Sequence, residues 1–158
     1  MNHLEGGVAF TICRVDGRKF RAKITQSVSQ EYAVFQMGSQ CPTDSFPFSK
    51  YMDTEDDDNR NGVTGDVQPS TVDRNARFRF CLFRTRASLP AMTLWPSLGF
   101  EYSVFARPIG NEKFGLLGQD DEDDDNENSY SAAADWATSA KRLVSAGADT
   151  TYSIVRAR

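Results

Sequence analysis

Hydrophobic and polar positions alternate most cleanly in Arg77-Phe78-Arg79-Phe80-Cys81-Leu82, with Phe78, Phe80 and Leu82 on one side of an extended chain and Arg77 and Arg79 on the other. The alternation predicts a half-buried strand. Carried on without a break, it turns Arg84 and Arg86 inward and Phe83 outward, which buries unpaired guanidinium groups. A β-bulge at Leu82-Phe83 removes the conflict and sets Arg77, Arg79, Arg84 and Arg86 in one outward row. From Gly99 to Arg107 the pattern alternates again, with Phe100, Tyr102 and Val104 on one face, and predicts a strand paired with the first. The connection from Ser88 to Leu98 is too apolar for a solvated turn, and Pro90 and Pro96 argue against a helix, so it is expected to pack on the body or on a neighbouring subunit.

Earlier in the chain, Val8 to Arg14 and Arg18 to Ile24 flank Asp16-Gly17. A three-residue loop Val15-Asp16-Gly17 pairs Ile12 with Phe20, Phe10 with Ala22 and Val8 with Ile24, which predicts a hairpin with Gly17 in a left-handed conformation. Glu31 to Met37 predicts a third strand, and Cys41 to Phe48 an irregular loop anchored by Phe46 and Phe48. Phe114-Gly115-Leu116-Leu117-Gly118 reads as an edge strand or a packed loop. The helix signal spans Ser129 to Ala146, where Ala133, Trp136, Ala137, Ala140, Leu143 and Val144 recur at three- and four-residue spacing. Ser129 or Ser131 is available as its cap and Gly147 as its stop. Trp136 is expected on the inward face, against the sheet that bears Phe78 and Phe80. Thr150 to Val155 predicts a final strand. The fold class expected is mainly β (β-rich α+β), an antiparallel sheet or sandwich with one C-terminal packing helix. It forms a single domain over 1–158, with acidic excursions at 51–76 and 119–128.

Charge sharpens this picture. The chain carries a net −4 over 158 residues, but Asp53, Glu55, Asp56, Asp57 and Asp58 in one run, and Asp120, Asp121, Glu122, Asp123, Asp124, Asp125 and Glu127 in another, concentrate the acids. With those twelve set aside the remainder stands at +8, and thirteen of the eighteen cations are arginine, whose planar fork suits carboxylate and phosphate. No run of about 18 apolar residues predicts a membrane span, and the first residues lack the apolar stretch of a secretory signal. Cys13, Cys41 and Cys81 are odd in number and set among apolar residues. They are expected to be buried free thiols in a reducing, cytoplasmic setting or inside a virion, with a disulfide between two of them as the alternative.

Catalytic chemistry is poorly represented. His3 is the single histidine, and there is no GxGxxG, no GxxxxGK[ST] and no CxxC, so neither an enzyme, a small-molecule substrate nor a resident cofactor is expected. Asp57-Asp58-Asn59-Arg60-Asn61-Gly62 begins like a calcium loop, with Asp57, Asn59 and Asn61 at alternate positions and a glycine at the sixth. The twelfth position is Gln68 instead of a bidentate glutamate, so Ca2+ there is the minor alternative. The row Arg77, Arg79, Arg84 and Arg86 is expected to meet either polyanions such as RNA or acidic loops of the same or another copy. Asp120, Asp121, Asp123, Asp124 and Asp125 are the candidate acidic contact. An N-terminal hairpin, a sheet with an arginine-bearing face and a late helix are in layout similar to small RNA-phage coat proteins, and equally to phage decoration or tail proteins. A strand after the helix and the acidic runs depart from the coat pattern. The function expected is a non-enzymatic, self-assembling homo-oligomer of a virus or phage particle, with an RNA-binding module and a calcium-dependent interaction domain as alternatives.

Overall fold

The computed structural model describes residues 11–25, 28–52, 71–72, 75–85, 91–119, 129–147 and 149–157. Its elements are β1 (Ala22–Thr25), β2 (Val28–Gln30), β3 (Tyr32–Phe35), β4 (Ser45–Met52), β5 (Thr71–Val72), β6 (Ala76–Phe83), β7 (Ala91–Met92), β8 (Tyr102–Ala106), β9 (Phe114–Gln119), β10 (Ser129–Ala132), α1 (Ala134–Leu143) and β11 (Thr150–Ala157). The large sheet runs β10-β4-β6-β3-β8-β11-β9 with every pair antiparallel. Because β4 covers one edge of β6 along its whole length, β5 and β3 share the other edge, β5 at Ala76–Arg77 and β3 at Phe80–Phe83. A small sheet, β2-β1-β7, pairs β1 antiparallel with β2 and parallel with β7. The mainly β class with one C-terminal helix is thus present.

The C-terminal half of β6, an interior strand of the large sheet, is buried on both faces, and this decides its sequence. Phe80 and Leu82 face a core built with Ala33, Phe48, Phe105 and Tyr152, on which α1 lays Ala140 and Leu143. Cys81 and Phe83 face a second core of Phe20, Tyr32, Val104, Ala106 and Val155, roofed by Met92, Trp95 and Leu98. The apolar connection before β8 therefore packs on the body, as expected. Four consecutive buried residues, Phe80 to Phe83, are the signature of a strand covered on both sides, which does not alternate.

Several expectations are corrected. β6 pairs with β4 in unbroken register from Ala76 to Phe83, so there is no bulge at Leu82-Phe83; that device was required only on the premise of one wet face. β6 and β8 are not neighbours, since β3 lies between them. Residues 11–16 are not a strand, and β1 takes β2 as its antiparallel partner. Gly17 opens a 3-10 turn, Gly17–Lys19, with Asp16 accepting from the Arg18 amide, and has no left-handed backbone. A glycine is required there for space: a Cβ would sit 2.6 Å from Pro42 Cγ. Ser45 to Met52 is a strand, with Pro47 just beyond the stretch of β4 that β10 covers, where a missing N–H deprives no partner. Ser129 to Ala132 pairs with β4, so the helix begins only at Ala134, with Ala133 as a cap that makes no side-chain bond, and ends at Leu143 as Val144 bridges Tyr152. Among the described residues no helix is long and apolar enough to cross a membrane. Cys41 and Cys81 form a disulfide, leaving Cys13 free and exposed, so the expectation of three free thiols fails, and with it the reason for a reducing compartment.

Candidate functional site

Continuous register in β6 divides the arginine row. Arg77 and Arg79 share parity with Cys81 and Phe83, and the Arg77 guanidinium lies 4.9 Å from the ring of Tyr51, its direct partner on β4. Arg84, just past the strand, is held on the helix side: its Nε is 3.2 Å from Glu31 Oε1, and its guanidinium packs over the Trp136 ring at 5.1 Å. Glu31 is fixed in turn by the Ser139 hydroxyl, which donates to it at 2.7 Å. Arg86 lies outside the described residues, as do Asp120, Asp121, Asp123, Asp124, Asp125 and the candidate calcium ligands Asp57, Asn59 and Asn61. Arg84 therefore does not share an outward surface with Arg77 and Arg79, and it serves as a clamp between the start of β3 and α1. Trp136 faces inward as expected, stacked on Phe46 beside the core that holds Phe78 and Phe80.

Two features of the remaining surface were not singled out from sequence. The first is a buried polar knot. Lys23 and Gln30, opposite one another on β1 and β2, turn toward Glu112. The Lys23 ammonium donates to Gln30 Oε1 at 2.9 Å, lies 3.6 Å from Glu112 Oε1 and sits 4.6 Å over the Trp95 ring. Glu112 also accepts from Gln30 Nε2, from the Ile109 amide at 2.9 Å and from Trp95 Nε1 at 3.3 Å. With this many donors on the Glu112 carboxylate, the knot is a staple. It fastens the chain just ahead of β9 to the small sheet.

The second is β9 itself. Its sequence, Phe114-Gly115-Leu116-Leu117-Gly118-Gln119, has no charge and no proline, and among the described residues nothing pairs with its outer edge. Leu117 points into the helix-side core, and Gln119 accepts a hydrogen bond from the Tyr152 hydroxyl at 3.1 Å. Phe114 and Leu116 lie on the other face, 61% and 56% exposed. The strand is therefore held at its start by the Glu112 knot and at its end by Tyr152, while no strand among the described residues covers its other side. The hydrogen-bond phase follows from one contact. The Arg156 amide donates to the Lys113 carbonyl at 2.9 Å, so 156/113 is a hydrogen-bonded pair. In an antiparallel ladder such pairs alternate, so Gly115, Leu117 and Gln119 bond β11 while the N–H and C=O of Phe114, Leu116 and Gly118 point outward.

Among the described residues there is no cluster of three or more His, Cys, Asp or Glu side chains that could hold a metal ion. An open cleft of about 320 Å³ is lined by the segment 96–102, and its one carboxylate, Glu101, is paired with Arg156. No family model, no curated protein and no solved structure matches this chain.

The signal that pointed to β9 was legible in part: two leucines and a phenylalanine between glycines, with no charge, mark an apolar strand. The signal that it is an edge, with Phe114 and Leu116 outside, lies in the strand order and not in the segment.

Proposed function

We propose that this chain is a non-enzymatic structural protein that assembles with copies of itself, using the free edge of β9. The observation that carries the reading is an uncharged edge strand with two exposed large apolar residues, held rigid at both ends. Solvent-facing edges are ordinarily blunted by lysine, proline, a bulge or a covering loop, because unpaired backbone groups template association; β9 itself carries no charge and no proline. Magnitudes set the strength of such a contact. Phe114 and Leu116 from two copies are four half-exposed side chains, each contributing about 1 kcal/mol on burial, while association costs roughly 4 kcal/mol or more. Apolar burial alone leaves little net affinity, so the backbone ladder supplies the remainder and the contact is concentration-dependent. The specific role we propose is that of a repeating subunit of a virus or phage particle, a setting in which many copies at high local concentration use an edge of this kind.

Light scattering coupled to size exclusion, across a hundredfold range of protein concentration and at low and high salt, tests the reading. The expected result is a mass that rises above 17.6 kDa with concentration, with little dependence on salt because the contact is apolar and backbone-mediated. A mass fixed at one chain throughout would contradict it.

A further inference from the structure

Resting on that assembly reading, the geometry of β9 points to a particular partner and register: we propose that β9 pairs antiparallel with β9 of a second copy about a two-fold axis through Leu116. A two-fold that joins antiparallel strands stands perpendicular to the sheet, so paired residues share a face and their numbers differ by an even count. The outward backbone groups belong to Phe114, Leu116 and Gly118, fixed by the 156/113 pair. Only the register centred on Leu116 engages all three on both chains: Leu116 opposite the partner's Leu116, Phe114 opposite the partner's Gly118, and Gly118 opposite the partner's Phe114. Six backbone hydrogen bonds close the ladder. Shifting by two residues in either direction removes one of these pairs.

Side chains select the same register. Phe114, Leu116 and Gly118 occupy one face, that of Val155 and Ser153, and on it both Phe114 and Leu116 are exposed. Placing Phe114 across from glycine gives the ring a bare stretch of backbone to cover, the arrangement by which an aromatic residue compensates a strand glycine. The two leucines then meet at the axis. A foreign strand would have to supply both a small residue and an apolar one at this spacing, whereas a second copy of this chain does so by symmetry.

Cysteine cross-linking reads the register. In a Cys13→Ser background, which removes the free exposed thiol, Leu116→Cys places two thiols across the axis with Cα atoms about 5.5 Å apart, within the range a disulfide spans. Phe114→Cys alone places its two thiols several residues apart. Mild oxidation is expected to convert most of the Leu116→Cys chain to a disulfide-linked dimer, at least tenfold faster than Phe114→Cys, and the double variant Phe114→Cys with Gly118→Cys is expected to cross-link as well. Leu116→Lys, at a half-exposed site that leaves the fold intact by circular dichroism, is expected to abolish the dimer seen by light scattering. If the wild type assembles but Leu116→Cys does not cross-link and Leu116→Lys still assembles, this register is wrong while self-assembly stands on another surface. If Phe114→Cys cross-links faster than Leu116→Cys, the pairing is through β9 but in another register, which also overturns the proposal. A wild type that stays monomeric contradicts both the proposal and the assembly reading, because the edge is then covered by another stretch of its own chain or left to water.

Discussion

The indole of Trp136 lies on the ring of Phe46, centroids 3.7 Å apart and planes 14° from parallel. Phe46 stands opposite Leu82 on β6, so this one stack ties the helix through β4 to β6. Arg84 adds its guanidinium to the same indole while pairing with Glu31. Trp136→Ala is expected to lower the unfolding free energy by about 3 kcal/mol, the low end for a tryptophan truncation because the side chain is only half-buried. Urea unfolding followed by far-ultraviolet circular dichroism measures it, and a change below about 1 kcal/mol would show that the helix is held by other contacts.

Gly17 and Pro42 make a second close pair. Gly17→Ala is expected to destabilise by about 1–3 kcal/mol, as an extra methyl forced into packed surroundings does. In a Pro42→Ala background most of that penalty should disappear. A double-mutant cycle isolates the contact. Equal cost in both backgrounds would rule the contact out as the cause.

The Cys41–Cys81 disulfide closes a loop of 40 residues and fastens the segment before β4 to the middle of β6. Loop closure of that length constrains the unfolded chain by roughly 4 kcal/mol. Guanidinium unfolding with and without reductant should differ by an amount of that order. Alkylation of the denatured, unreduced chain should label Cys13 alone, and labelling of all three cysteines would remove the cross-link from the account.

Burial governs the alkaline limb of stability. Desolvation raises the phenol pKa of Tyr32, Tyr130 and Tyr152 well above the ordinary range and that of Tyr102 to about 12. Raised values mean that the fold holds the neutral phenols. Their contribution is intact below the unfolded value of about 10 and is lost as pH rises through the folded values. Phenolate absorbance from these residues is therefore expected to appear together with loss of the native circular dichroism above about pH 10. Ionisation of all the tyrosines near that pH with the fold unchanged would contradict their burial.

What the sequence made legible, and what it hid, divides along solvent exposure. Trp136, Ala140 and Leu143 repeat at helical spacing because one face of α1 meets the core, so the helix and its inward face were readable. The final strand and the packing of Trp95 and Leu98 were readable from their apolar residues, whereas the segment at Phe114 read equally as a strand or a packed loop, and only the strand order makes it an edge. Phe80 to Phe83 misled because burial on both faces removes the alternation from which a face is assigned, and the bulge was the cost of assuming one wet face. Ser129 to Ala132 misled because alanine and serine suit a helix start as well as a strand, and only pairing with β4 decides. The Lys23, Gln30 and Glu112 knot joins residues up to 89 positions apart in the chain, so no local pattern could show it.

The claim that copies of this chain meet at β9 is tested most directly by amide hydrogen exchange along that strand at low and high protein concentration. In dilute solution Gly115, Leu117 and Gln119, bonded to β11, are expected to exchange slowly, and Phe114, Leu116 and Gly118 quickly. At high concentration all six should be slow. Fast exchange at Phe114, Leu116 and Gly118 at every concentration, in a sample whose mass shows assembly, would place the contact elsewhere and contradict the account.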